Sequence, residues 1–242
     1  AAALICCTSS LEGVMGWGEG VDGGRFLRGM VLLGGVGWDV EEALVDELQD
    51  DLALLEADFK EVIEIAKDSD SLLNRLKETG RLDKEIADDY GVIGVGARAL
   101  GKEMDARVDY PYAAYEAVQF SVATETYGDV HARFQVRIKE VYQSFRILNQ
   151  VLALLPFEIS PIKVEVPALP ASRMAVGIVE GWRGDIVTFV MTDTAGKITR
   201  VKVRDTSFVN WQIFSHVLLR DIVPDFPLIN KSFDLSYSGN DL

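Results

Sequence analysis

The spacing of apolar residues changes late in this chain, and that change limits what it can fold into. Val40, Leu44, Leu48, Leu52, Leu55, Phe59, Val62 and Ala66 recur every three or four positions, which is one stripe of an amphipathic helix. Phe134, Ile138, Val141, Phe145, Leu148 and Leu152 form a second stripe at spacings of 4, 3, 4, 3 and 4. Beyond Pro156, Pro161, Pro167 and Pro170 the period drops to two. "MAVGIVE", "DIVTFVMTD" and "KITRVKVRD" then read as three strands joined by the turns "GWRG" and "TAG". The two periods therefore read as two or more long helices forming a bundle, with a small three-stranded sheet inserted late.

The boundaries follow from local chemistry. Asp39 reads as an N-cap with Glu42 as its capping-box partner, Asp68 to Ser71 as a break into two helices, and Gly80 as a stop. Asp129 reads as the N-cap of the second long helix, over 129–155. Residues 83–90 predict a short helix and 207–220 another, with Phe208, Trp211, Val217 and Leu218 near one face. Residues 91–120 lack periodicity and read as ordered loop packed against a scaffold. Residues 1–37 read as a short helix followed by glycine-rich loops, with no Gly-Lys-Ser/Thr to make a phosphate loop. The expected fold is mainly α (α+β): a bundle of long helices with a three-stranded antiparallel meander. The expected organisation is one domain over 1–242. It has a helical part (1–155), a proline-rich connection (156–172), a meander (173–205), and a C-terminal helix and tail (206–242).

Charge narrows the partners. Over 242 residues, 38 acids against 24 Lys and Arg leave a formal net charge of -14, which repels phosphate backbones and anionic lipid. No apolar run reaches the roughly 20 residues of a membrane span. Two adjacent cysteines, Cys6 and Cys7, make no disulfide framework and point to a reducing compartment. Two histidines, His131 and His216, are too few for a multi-histidine metal cage. "AAALICC" reads as the interior of a helix, so the chain is expected to be a fragment or a trimmed product.

By residue type alone, few side chains stand out. Arg183 lies in the turn between two strands, where arginines are mostly solvated. Asp234, Ser236 and Asp241 lie at a terminus, where fraying is ordinary. His131 is expected to be neutral in a first helical turn, and His216 to be a core or interface histidine. Arg133, Arg137 and Arg146 share a helix and are expected to make surface ion pairs, although Arg133 and Arg137 could jointly hold a partner's carboxylate. No Ser-His-Asp elbow, HExxH or Walker sequence is present.

Three colinear stretches carry a resemblance. "GVIGVGARALGKEMDARVDYPY" holds Gly94, Arg98, Ala99, Gly101, Asp105 and Arg107 in the spacing GxxxRAxGxxxDxR, followed by Tyr110, Pro111 and Tyr112. "GDVHARFQVRIKEVYQSFRI" supplies Gly128, Asp129, Arg133, Val136, Arg137, Glu140, Ser144, Arg146 and Ile147. "VEGWRGD" and the tail "FDLSYSGNDL" complete the set, with Trp182 where the family has proline. In this order they resemble the large subunit of nickel–iron hydrogenases and its energy-converting relatives. Those relatives include the formate hydrogenlyase type and the 49-kilodalton subunit of respiratory complex I.

The resemblance implies roles. Arg183 matches the arginine that overhangs the metal centre of true hydrogenases, and Asp234 matches the aspartate before two metal-holding cysteines. At those two cysteine positions stand Ser236 and Gly239. A serine hydroxyl and a bare α-carbon cannot replace thiolates for nickel and iron, so no metal is expected in this chain. The implied catalytic residues are Arg183 and Asp234; Arg98, Ser236 and Gly239 are the implied cofactor-binding residues. The implied function is a metal-free, hydrogenase-like or complex I-like subunit of a membrane-associated oxidoreductase complex. No cofactor is expected in this chain, with a 4Fe-4S cluster in an iron–sulfur small subunit, further partners in the membrane arm, and quinone or another acceptor in the cavity. The implied location is cytoplasmic, peripheral on the inner face of the cell membrane. The alternative is a structural or assembly module that keeps the fold without redox chemistry.

Overall fold

The computed structural model describes residues 29–155 and 161–241. Expectations for residues 1–28, Cys6 and Cys7 among them, and for Pro156 lie outside the described residues. The chain divides into two compact units, Ala1–Ser69 with Phe145–Ala168, and Asp70–Ser144 with Leu169–Leu242.

In the first unit a two-stranded hairpin, β1 (Val31–Leu32) and β2 (Gly35–Val36), precedes helix α1 (Glu42–Lys67). The hairpin was not expected from the glycine-rich sequence. It is held by the returning chain, where Val36 N donates to Ile162 O at 3.1 Å and Val164 N to Gly34 O at 3.0 Å. The predicted stripe faces inward: Leu44, Leu48, Leu52, Leu55, Phe59, Val62 and Ala66 are all buried or half-buried. Val45 and Ile63 are buried beside them. The cap differs from expectation. Glu41, not Asp39, is the N-cap, because Asp39 turns its carboxylate to the N–H of Val40, 2.9 Å away, and Val40 stays ahead of the helix. α1 stops at Asp68, where the break was expected.

The second unit opens with α2 (Asp70–Leu76), α3 (Lys84–Asp89), α4 (Gly94–Arg98) and α5 (Ala106–Asp109). α6 (Val130–Leu154) begins here and ends in the first unit. Asp129 caps it as expected, its Oδ1 accepting from Ala132 N at 2.7 Å. Its Oδ2 accepts from Glu78 N at 2.9 Å, which ties α6 to the end of α2. The stretch at 91–120 is ordered, as expected, but it holds two helices, and every residue of α4 is buried. Periodicity missed α4 because a helix buried all round has no polar face to reveal it.

The meander forms as predicted. β3 (Met174–Gly181), β4 (Gly184–Thr192) and β5 (Ile198–Arg204) pair antiparallel in the order β3-β4-β5, with Glu180 opposite Asp185 and Gly181 opposite Gly184. The predicted helix over 207–220 is instead a chain of short pieces. α7 (Thr206–Asn210) and α8 (Phe214–Val217) alternate with 3-10 turns at Trp211–Ile213 and Leu218–Arg220. These turns rotate Ile213, Phe214 and Val217 into the core and leave Phe208 exposed. α9 (Phe226–Phe233) and α10 (Tyr237–Asn240) close the chain. Ile229 and Phe233 of α9 join Leu82, Val92, Ala97, Val130, Ile213 and Phe214 in one apolar cluster. Among the described residues no helix is long and apolar enough to cross a membrane.

Candidate functional site

The site lies in the second unit and depends on one close approach. Gly94 opens α4 at φ +63°, and a Cβ there would sit 1.9 Å from the carbonyl oxygen of Arg183. Only glycine lets the start of α4 press against the β3–β4 turn this way. That contact carries Arg98, at the other end of α4, toward Glu180 near the end of β3.

Arg98 is 2% exposed and surrounded by acceptors. Its Nη1 donates to Glu180 Oε1 at 2.8 Å and to Met104 O at 3.0 Å, and its Nε lies 2.8 Å from Glu140 Oε1. Glu180 Oε2 also accepts the N–H of Ala106 at 2.9 Å. Asp105 caps α5 and is held by Arg107 through Nε (2.9 Å) and Nη2 (2.6 Å). Burial pushes the carboxyl groups of Glu140 and Glu180 above the usual range, against the pull of Arg98 on both. Arg98, Arg107, Glu140 and Glu180 line a cleft of about 290 Å³ with Tyr115, Ser144 and Trp182.

A second cluster forms where the tail meets the turn. Asp234 stands at the end of α9 with φ 55°, a left-handed conformation that swings the chain back toward the sheet. Arg183 donates through Nε to the carbonyl of Asp234, and its Nη2 lies 3.8 Å from Asp234 Oδ2. Trp182 Nε1 donates to Asp234 Oδ2 at 3.0 Å and Lys231 reaches Oδ1 at 2.6 Å. Partial burial pushes the Asp234 carboxyl up, but the bonds from Lys231 and Trp182 outweigh it and hold it below the usual range. Arg137 joins the two clusters. It donates to the carbonyl of Trp182, lies 3.9 Å over the indole ring, and stands 3.9 Å from Glu140 Oε2.

The tail is therefore a docked segment. Ser236 N donates to Ser207 Oγ at 3.0 Å, Trp211 Nε1 donates to Ser236 O at 3.1 Å, and Tyr237 stacks on Trp211. Ser236 and Gly239 do not fit a nickel–iron group. The Ser236 hydroxyl is the N-cap of α10, accepting from Gly239 N at 3.1 Å and lying 3.0 Å from Ser238 Oγ. A side chain at Gly239 would begin 2.6 Å from Asp205 Oδ1. Asp205 is itself fixed as the cap of α7.

Of the residues expected to form a site, the structure brings Arg183 and Asp234 together, with Ser236 two residues on. Arg98 belongs to the neighbouring cleft. One expectation is corrected. Arg133 makes no surface ion pair: it is wholly buried, donates to the carbonyls of Gly128 (2.7 Å) and Gly80 (2.8 Å), and bonds Ser232 Oγ at 2.8 Å. His216 is half-buried, its ring 3.0 Å from the Tyr90 hydroxyl. Glu140, Glu180 and Arg107 sat inside the quoted motifs but were not singled out, because nothing local distinguishes a buried glutamate from a solvated one. The acidic partner of Arg98 on β3 is 82 residues away in sequence.

Comparison with known proteins decides the family. The profile of the 49-kilodalton subunit of respiratory-chain NADH dehydrogenase matches residues 2–175 and 162–241. The chain belongs to this family. It is 31% identical over 230 residues to formate hydrogenlyase subunit 5 of Escherichia coli, covering 95% of this chain and 40% of that protein. It is 31% identical over 218 residues to the carbon monoxide-induced hydrogenase of Rhodospirillum rubrum, covering 89% and 60%. A chain in the structure of the membrane-bound sulfane sulfur reductase, an archaeal respiratory membrane complex, superposes with a TM-score of 0.90 at 27% identity, covering 97% of this chain and 65% of that one. The expected fold class and family resemblance both hold. This chain thus spans about two fifths to two thirds of the length of these 49-kilodalton-family relatives.

Proposed function

We propose that this 49-kilodalton-family chain is a metal-free subunit of a membrane-associated oxidoreductase complex. In this reading it docks an iron–sulfur small subunit and lines part of a cavity for quinone or another acceptor. The observation that supports it most is the docked tail. There Asp234 is gripped by Arg183, Trp182 and Lys231. Arg183 and Asp234 would act at the acceptor as a fixed cation and carboxylate, orienting it and handling its proton. Arg98 would hold the neighbouring wall through Glu140 and Glu180, with Ser236 and Gly239 shaping the floor. Electrons would come from a 4Fe-4S cluster in the small subunit. The complex would sit peripherally on the inner face of the cell membrane, against membrane-arm subunits.

The test is purification of the native protein with its partners, followed by metal analysis and an assay of electron transfer to quinone. The expected result is an iron–sulfur partner, no nickel in this chain, and a transfer rate that falls at least tenfold in Arg183→Ala. A lone monomer with no such partner overturns the proposal. The second reading, an assembly module, is favoured by the use of the Ser236 hydroxyl as a helix cap. Full electron-transfer activity of Arg183→Ala in the assembled complex would select it.

A further inference from the structure

Three carboxylates lie within 4.0 Å of Arg98: Glu140 and Glu180 in the cleft, and Asp105 outside its lining. They are not equivalent. Glu180 has both oxygens occupied, one by Arg98 and one by the backbone of Ala106. Asp105 has both occupied by Arg107. Glu140 is held least completely, by ion pairs alone. Its Oε1 is buried 2.8 Å from Arg98 Nε but out of line for a hydrogen bond, and Oε2 stands 3.9 Å from Arg137 Nη1. Arg137 Nη2 is likewise buried without a partner. Ion pairing with Arg98 offsets part of the cost of burying the Glu140 charge, but burial with poorly aligned hydrogen bonds still favours the protonated form.

We propose that Glu140 is a proton-binding site, loaded from the cleft and communicated to the tail through Arg137. The route in is the cleft itself, whose 290 Å³ holds several waters at about 30 Å³ each. The groups facing Glu140 set its affinity. Arg98 from α4, Arg107 from α5 and Arg137 from its own helix favour the anion. Glu180 from β3 and Asp105 compete for the same cations, Tyr115 borders the opening, and burial favours the acid. The route out is Arg137. When Glu140 is neutral, Arg137 loses the carboxylate nearest to it and keeps the carbonyl and ring of Trp182, whose indole N–H holds Asp234. Proton uptake at Glu140 is thereby felt at the docked tail. This inference stands on the cleft geometry and holds whether or not the redox reading does.

The test is infrared difference spectroscopy of the full-length protein across a pH titration, read at the carboxylic-acid C=O stretch. The expected result is a band that titrates above the ordinary glutamate value of about 4.3, disappears in Glu140→Gln and survives in Glu180→Gln. A parallel change in tryptophan fluorescence, lost in Trp182→Phe, reports the tail. Arg137→Gln provides a second measure that keeps Glu140 in place, and it should move the midpoint upward by removing a cation. Titration of Glu140 in the ordinary range, persistence of the band in Glu140→Gln, or an unmoved midpoint in Arg137→Gln each overturns the proposal.

Discussion

Arg133 and Arg137 stand one turn apart on α6, with the same side chain and the same formal charge, and their surroundings differ in kind. Arg133 meets neutral acceptors, two carbonyls and a hydroxyl, and lies 4.0 Å over the ring of Phe233. Every nitrogen has a partner, and burial lowers its pKa to about 9 against the pull of Asp129 and Asp221. Arg137 meets Glu140, Trp182 and a cleft, and one of its nitrogens has none. Burial lowers its pKa to about 10 while Glu140 pulls the other way. The first arrangement joins α6 to the loop at Gly80 and to α9, with every donor group satisfied. The second is incompletely satisfied, and incomplete satisfaction is what lets a group respond to a proton or a ligand.

The largest expected effect tests the Arg133 side. Arg133→Met strands the buried carbonyls of Gly80 and Gly128, at about 1–3 kcal/mol each, so a loss of about 4 kcal/mol is expected in denaturant unfolding. Arg133→Lys should not rescue it, because one ammonium cannot replace a fork that reaches three acceptors. Arg137→Met should cost about 1 kcal/mol, since it ends one hydrogen bond and one stacking contact. Equal losses at the two positions would break the comparison.

Next comes the cleft. Glu180→Gln removes the carboxylate that Arg98 holds most completely, and about 3 kcal/mol is expected for breaking a buried pair. The raised carboxyls of Glu140 and Glu180 also give a pH signature. Stability associated with their protonated forms is fully present below the unfolded value and is lost as pH rises through the folded value. Glu140→Gln should flatten that slope in a series of unfolding curves, and an unchanged slope would remove Glu140 from the account.

Smaller effects fall on the tail. Ser236→Ala removes the cap of α10 and should cost about 1 kcal/mol, with no change at Arg133. The lowered pKa of Asp234 means that its contacts are complete above the unfolded carboxylate value and fail as pH falls through the folded one. Tryptophan fluorescence, compared with Trp182→Phe, should report that release in acid. A tail that loosens at neutral pH instead would contradict the ion-pair geometry.

Much of this was legible in advance where the signal was local. The stripe of α1, the helix of α6, the Asp129 cap and the three strands rest on neighbours within a few positions, and the chain folded them as read except that Leu148 of the α6 stripe is exposed. The Asp39 cap was misread because a side chain that bonds its own next N–H satisfies the same residue preference. The broken helix at 207–220 was misread because apolar residues on several faces suit 3-10 turns as well as a continuous helix. Within the site, the motif order pointed to Arg183 and Asp234, but not to what each would touch.

The sequence by itself determined the two long helices, the order of the three-stranded sheet, and the absence of thiolates at positions 236 and 239. Those properties follow from residue identity and from spacing along the chain. Only the tertiary structure decided which charges are buried. Arg98 finds Glu180 across 82 residues and Arg183 finds Asp234 across 51, by way of a glycine contact that brings α4 onto the β3–β4 turn. Electrostatic strength depends on distance and on the water excluded around each pair, and both are set by packing between segments far apart in the chain.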